Sequence, residues 1–262
     1  MNDRHCPVVQ GASHWRAVDF ISDLHLSEQT PHTFAAWTRY LEQTPADAVW
    51  ILGDLFEVWV GDDAALAGDE ATGSFESRCA DILRKAAQRL HLSFLPGNRD
   101  FLVGDALLQH CGMHRLAEPT VLHIWNRRIL ASHGDAWCLE DEEYQAFRRQ
   151  VRSPAWQEEF LSKPLAQRKA IARDIRQASE DRKQGRPDPS LWADVDTGEA
   201  LKWMNLCETT DLVHGHTHRP GTHLLSSDRT RHVLSDWDLE STCPRAEVLR
   251  LTPDGWQRQS LT

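Results

Sequence analysis

No stretch of this 262-residue chain approaches the run of about 20 apolar residues that a membrane-spanning helix needs. The first fifteen residues, MNDRHCPVVQGASHW, hold no apolar segment of the kind a secretory signal requires. Basic charge is in deficit: 29 Lys and Arg stand against 39 Asp and Glu, a formal charge of −10. That balance argues against non-specific binding to nucleic acid. The six cysteines (Cys6, Cys79, Cys111, Cys138, Cys207, Cys243) are scattered with no C-x-x-C pair. Neither a zinc knuckle nor a disulfide framework is expected, and the thiols fit a reducing compartment. Internal repeats and low-complexity tracts are missing as well. What is present is an ordinary globular profile, 40% apolar and 26% charged, long enough for one large core or a core with a smaller insertion. The expectation is a cytoplasmic protein, attached at most to a membrane surface. Tryptophan alone is plentiful at 11 residues. Such rings suit either a large core or a greasy groove.

Short apolar runs bounded by turn residues predict strands at residues 17–22, 48–52, 91–95, 121–125, 128–132, 212–214, 232–235 and 246–251. Helical spacing falls at 33–43 and 74–90, with residues 1–16 read as a loose leader. This alternation is that of an α/β layered core. Between His133 and Asp211 the texture changes to four helical stretches, at 142–151, 154–161, 165–183 and 197–207, with Pro154 and Pro164 at first-turn positions. A core at 17–139 and 206–255 carrying a helical cap at 140–205 is therefore expected. The cap mixes Arg148, Arg149, Arg152, Arg168, Lys169, Arg173 and Arg176 with Trp156, Phe160, Leu161 and Ile175. Its basic face is either simply solvated or covers an anionic, hydrophobic substrate.

The chemistry-bearing residues come just after predicted strands: Asp23-Leu24-His25, Gly53-Asp54, Gly97-Asn98-Arg99-Asp100, His133-Gly134-Asp135 and His214-Gly215-His216-Thr217-His218. Groups from separate strand ends meet at one sheet edge. In extended chain, residues i and i+2 point the same way, so each D-x-H or H-x-H pair could face one metal cluster. A carboxylate such as Asp54 can bridge two cations held about 3.5–4 Å apart. Asn98 adds a neutral oxygen that suits a hard ion such as Mn2+. Each piece alone is a common dipeptide; the ordered set is not. His214 is either an orienting group behind the ligands or structural. Asp100 and Asp135 either fix a ligand's tautomer or cap turns.

The order D-x-H, G-D, G-N, H-G, G-H-x-H resembles the calcineurin-like metallophosphoesterase superfamily. That resemblance implies a four-layer α/β/β/α sandwich and two metal ions, Mn2+ or other divalent ions. Asp23, His25 and His218 would hold one, Asn98, His133 and His216 the other, with Asp54 between them. The segments ISDLHLS, ILGDLFEVWVGDD, PGNRDFLVG, SHGDAWCLEDEEYQAFR, DVDTGEA and HGHTHRP are similar to one family within it, the UDP-2,3-diacylglucosamine hydrolases of lipid A biosynthesis. The similarity implies hydrolysis of a lipid-linked UDP-sugar at its α-phosphorus by a metal-activated water. The products would be UMP and 2,3-diacylglucosamine 1-phosphate, and the enzyme would sit peripherally on the cytoplasmic face of the inner membrane, with Arg148, Arg149 and Arg152 meeting anionic lipid there. No protein partner is implied. Asn98, Arg99 and His216 would stabilise the developing charge. Asp141, Ser179, Lys183 and Arg186 would join them in binding substrate, with Trp137, Trp156, Phe160 and Leu161 candidates for an acyl trough. Arg99 stands where many relatives place a histidine acid; an arginine cannot release its proton near neutrality, but its planar fork can clamp a phosphate. Two rivals remain at this level, another phosphoesterase such as a cyclic-nucleotide hydrolase and a non-catalytic scaffold on the same fold.

Overall fold

In the strand Ala48–Leu52 (β3), every residue is buried, and period-two alternation divides them between two faces. Val49 and Ile51 pack with helices, whereas Ala48, Trp50 and Leu52 join a different cluster. Strands covered on both faces read as continuous apolar runs, which is why AVWIL and its neighbours stand out in the sequence. The computed structural model describes residues 6–68, 73–184 and 193–262.

Two six-stranded mixed sheets lie face to face. One sheet contains β1 (Val8–Gln10), β6 (Thr120–Ile124), β7 (Arg127–Ala131), β8 (Asp211–His214), β9 (Gly221–Ser226) and β10 (Arg229–Val233), in the order β1-β6-β7-β8-β10-β9. The other contains β2 (Val18–Ile21), β3, β4 (His91–Leu95), β5 (His114–Arg115), β11 (Glu247–Thr252) and β12 (Gly255–Ser260), in the order β12-β11-β2-β3-β4-β5. Strands β2 to β5 run parallel, and β11 is antiparallel to β2. Phe20, Trp50 and Leu249 from one sheet meet Leu122, Ile129 and Val213 from the other. The outer face of the β2–β5 sheet carries α1 (Pro31–Gln43), α3 (Phe75–Ala86) and α4 (Asp105–Cys111), with the single turn α2 (Asp63–Leu66) beside α3. On the far face, Ala200 and Met204 of α8 (Thr197–Leu206) pack with Leu130 and Leu212. This is the four-layer α/β/β/α arrangement.

Helices α5 (Glu142–Val151), α6 (Pro154–Leu161) and α7 (Leu165–Gln184) fall where helical spacing places them. Ser153 caps α6, with Pro154 in its first turn, and Asp141 caps α5 through the Tyr144 amide. Their basic residues are mostly not a solvated face. Arg148 pairs with Asp135 and Glu118 at 2.8 and 3.1 Å, Arg152 donates to the Gly97 carbonyl at 2.8 Å, and Arg168 pairs with Asp63. Lys169 reaches Glu76 at 3.1 Å and Arg176 reaches Glu57. Of the seven, Arg149 and Arg173 are exposed. The expectation that Arg148 and Arg152 face lipid is corrected: buried carboxylates hold them inward.

Two further expectations are corrected. Val8–Gln10 is no loose leader but an edge strand parallel to β6, too short for a periodic signal. Cys6 and Cys207 form a disulfide with Cα atoms 5.7 Å apart. They are 201 positions apart in sequence, so no local spacing announces the pair.

At the helix-facing side of β2, Asp19 accepts two hydrogen bonds from Arg250 at 2.7 Å each, and one each from Tyr40 and Thr44 at 2.8 Å. Asp19 is fully buried and Arg250 is 9% exposed. Asp19→Ala should therefore lower the stability of the fold by about 3–5 kcal/mol, since it strands a buried guanidinium. Urea unfolding monitored by circular dichroism measures this, and an unchanged midpoint would show that the cluster is not stabilising.

Candidate dinuclear metal centre

Five chain segments leave their strands and turn at one edge of the sandwich. Asp23 and His25 follow β2, Asp54 follows β3, Asn98 follows β4, His133 follows β7, and His216 and His218 follow β8. The backbone there is not extended. Asp23, His25, Asp54, His216 and His218 have φ of 55°, 49°, 52°, 66° and 51°, all in the left-handed region. The i, i+2 argument from extended chain is thus corrected: the two D-x-H and H-x-H pairs converge by repeated left-handed turns. Such backbone is uncommon for residues other than glycine and tends to gather at functional sites. Two glycines make room for it. Gly53 has φ +87°, and a Cβ on Gly97 would stand 2.2 Å from Asp54 Oδ1.

Asp100 holds the turns after β3 and β4 together. Its carboxylate accepts N–H bonds from Gly97 (2.8 Å), Asp54 (3.2 Å), Leu55 (2.8 Å) and Phe56 (3.4 Å). Between the two alternatives left by the sequence, this is the turn-capping one. Asp135 accepts hydrogen bonds from Tyr144 and Arg148, and it acts on the nearby His133 imidazole through its charge. His214 is buried with its Nδ1 2.8 Å from the Gly215 carbonyl, inside its own turn.

The seven residues form two overlapping groups. Ligand atoms of Asp23, His25 and His218 lie within 4.8 Å of one another, and so do those of Asp23, Asp54 and His133. Asn98 Oδ1 lies 2.8 Å from His133 Nε2 and 2.7 Å from His216 Nδ1, joining that side. Asp23 is common to both groups, whereas Asp54 falls with Asp23 and His133 alone. Nε2 of His25 and Nε2 of His218 stand 3.3 Å apart. Behind the rings, His25 Nδ1 lies 3.0 Å from Glu57, His218 Nδ1 3.3 Å from Asp236, and His133 Nδ1 2.9 Å from the Leu52 carbonyl. Such partners fix the tautomer that leaves the other nitrogen free to ligate.

The donor set fits divalent cations. Burial pushes the His133 and His218 imidazoles down, but neighbouring carboxylates outweigh it and push them up to about 9 and about 10. For His133 those carboxylates include Asp54 and Asp135, and for His218 they are Asp23 and Asp236. Burial would raise the Asp23 pKa, but the imidazoles, His218 foremost, hold it well below the usual carboxylate range. Burial pushes His216 down to about 3, leaving it neutral and able to ligate. Without cations, these carboxylates keep protons on the rings; a cation would take over that role and release them.

A cavity of about 810 Å³ opens beside this cluster, between the core and α5–α7. Asn98, Arg99, Asp141, His216 and His218 line its polar side; Phe101, Phe147, Trp156, Phe160 and Ile175 line its apolar side. Trp137 does not belong there, since it packs against Trp203 and Met204 below the other sheet. Leu161 is 42% exposed and outside the lining. Arg186, and the side chains of Ser179 and Lys183, lie outside the described residues. Sequence reasoning missed Glu57 and Asp236. Glu57 sits three residues past Asp54, a spacing that could have flagged it; Asp236 has no such signal.

Comparison with known proteins agrees with this geometry. The family description "Calcineurin-like phosphoesterase" matches residues 17–220, and the chain belongs to that family. More narrowly, it is 44% identical over 225 residues to the UDP-2,3-diacylglucosamine hydrolase of Aromatoleum aromaticum, covering 83% of this chain and 88% of that protein. It is 39% identical over 253 residues to the enzyme of the same name from Stenotrophomonas maltophilia, covering 92% and 97%. To that of Hahella chejuensis it is 39% identical over 248 residues, covering 92% and 96%.

Because His133 and His218 hold protons up to about 9 and about 10, cation affinity should rise with pH through neutrality. Calorimetric titration of metal-free protein with Mn2+, in buffers of differing ionisation enthalpy, should record net proton release. Affinity independent of pH between about 6.5 and about 8.5 would contradict this protonation balance.

Proposed function

We propose that the protein hydrolyses UDP-2,3-diacylglucosamine to UMP and 2,3-diacylglucosamine 1-phosphate, a step of lipid A biosynthesis. One observation carries the reading beyond phosphoester chemistry in general: a single cavity borders Asn98, His216 and His218 of the donor cluster together with Arg99, and also the aromatic side chains Phe147, Trp156 and Phe160 of α5 and α6. That combination suits a diphosphate attached to acyl chains. The relatives named above act on this substrate by their names.

Bound at Asp23, His25, Asp54, Asn98, His133, His216 and His218, two divalent cations would supply a nucleophilic water at neutral pH and neutralise developing negative charge. Mn2+ suits this mixed set of carboxylate, amide-oxygen and imidazole donors. The chain's own residues place the α-phosphorus. Arg99, 19% exposed, borders the cavity from the loop after β4, and its amide donates to Asp54 Oδ1 at 2.8 Å. Its fixed guanidinium fork can hold two phosphate oxygens while staying charged. The departing sugar phosphate is a stable anion and needs no proton from the enzyme. Asn98 and His216, neighbours across 2.7 Å, border the same space. Helices α5–α7 act as a cap over the lipid part, with Trp156 and Phe160, stacked at 4.8 Å, in its wall. Asp141 stands at the cavity rim, and Ser179, Lys183 and Arg186 complete the substrate contacts. No helix among the described residues is long and apolar enough to cross a membrane. Peripheral attachment to the cytoplasmic face of the inner membrane would bring the cavity to the acyl chains.

The direct test is release of UMP from the diacylated UDP-sugar with added Mn2+, lost on chelation and restored by metal. Turnover of cyclic AMP with none of the UDP-sugar would instead favour a cyclic-nucleotide hydrolase on the same centre. Arg99→Ala should raise KM and lower kcat, together costing about 2–4 kcal/mol in kcat/KM, the usual loss for a charged donor at the reacting group. Steady-state kinetics with both constants unchanged would remove Arg99 from phosphate binding.

A further inference from the structure

Glu57 connects the metal edge to the cap. It lies in the turn after β3, with its side chain 14% exposed. One carboxylate oxygen, Oε2, stands 3.0 Å from His25 Nδ1, the ring nitrogen opposite the one that faces His218. The other, Oε1, stands 3.5 Å from Arg99 Nη1 and forms an ion pair with Arg176 of α7. Both arginines border the cavity. Three elements distant in sequence therefore meet on one side chain: the β2 turn, the β4 loop and the cap helix.

We propose that Glu57 is a positioning residue that sets the His25 ligand and the Arg99–Arg176 pair at the same time. Toward the metal side, its carboxylate beside Nδ1 favours the proton on that nitrogen and so directs the Nε2 lone pair into the donor cluster. Toward the substrate side, it supplies the anion that lets two guanidinium groups stand together. Two like charges, one from a loop and one from a helix, would otherwise splay apart. Each guanidinium has five donors, so contact with Glu57 leaves further N–H groups for phosphate oxygens. The inference rests on the phosphate-binding role given to Arg99 above.

Simple Coulomb reasoning gives the opposite sign for the phosphate side, which makes the test discriminating. Removing an anion beside a phosphate site strengthens phosphate binding if Glu57 acts only through its charge; positioning requires weaker binding. The full-length protein and its Glu57→Gln and Glu57→Ala variants would be compared for folding by circular dichroism. Mn2+ content after dialysis and calorimetric binding of inorganic phosphate to the Mn2+-loaded forms would follow. Glutamine keeps an acceptor for His25 but loses the charge. It should retain wild-type Mn2+ content and bind phosphate about tenfold more weakly, the weight of one charge-assisted contact. Alanine loses both functions. Its Mn2+ affinity should fall about 10- to 100-fold as well, as is usual when the partner behind a ligand is removed. Tighter or unchanged phosphate binding in Glu57→Gln overturns the proposal, and so does equal loss of Mn2+ from both variants. Should alanine fail to fold, the glutamine variant still decides the phosphate side. Both measurements use Mn2+ and phosphate alone, so a wild-type enzyme that failed to release UMP would remove the substrate assignment and leave this one standing.

Discussion

Four backbone N–H groups from two turns meet on one carboxylate, that of Asp100. Asp54, Glu57, Asn98 and Arg99 all stand on the stretches of chain that this carboxylate joins. The turns approach so closely that only glycine fits at Gly97. Burial and the charge of Asp54 push the Asp100 pKa up to about 7, and the amide donors work against that shift. A carboxylate so placed holds its position only while the N–H groups stay aimed at it, and they stay aimed only while it is there. The candidate metal donors Asp54 and Asn98, the cavity-lining Arg99 and the Glu57 carboxylate beside His25 inherit their geometry from this mutual clasp. His133 joins the same structure from the other sheet by reaching the Leu52 carbonyl.

Much of this was legible in the chain, and the physical reason is burial on two sides. Strands β2, β3 and β4 sit between a helical layer and a second sheet, so they read as unbroken apolar runs that stop where the ligands begin. Helices α5 and α6 begin and end where cap residues and periodicity put them. Edge elements were not legible. GTHLLS of β9 and GWQRQS of β12 face solvent on much of their surface, so little alternation survives. The candidate ligand residues could be named from the sequence, but not their backbone. Aspartate and histidine do not advertise a left-handed turn as glycine does, so D-x-H looked like extended chain. Partners such as Asp236 for His218 depend on a contact across the fold, which no local spacing encodes.

The cap shows how far a charge pattern can mislead. Its arginines look like a surface made for anions, yet Arg148, Arg152, Arg168 and Arg176 are turned toward the core. Arg148, Arg152 and Arg176 tie α5 and α7 to segments that carry or flank the donor cluster, while Arg168 and Lys169 tie α7 to α2 and α3. Helices α5 and α7, which line the cavity, are thus held to the core by ion pairs. Tryptophan follows a similar division. Trp15, Trp37, Trp50, Trp137 and Trp237 are core side chains, Trp156 borders the cavity, and Trp59 does both.

The left-handed backbone at Asp23, His25, Asp54, His216 and His218 has one more consequence. Conformations of this kind cost on the order of 1–3 kcal/mol at each residue and persist because surrounding structure holds them. Glycine adopts them without that cost, so a chain freed from the need to hold cations could become sturdier by shedding its ligands. Retention of all seven donors therefore runs against the direction in which stability alone would drift. Intactness of the set is a mark of continued use, because neglect would be rewarded with a calmer backbone.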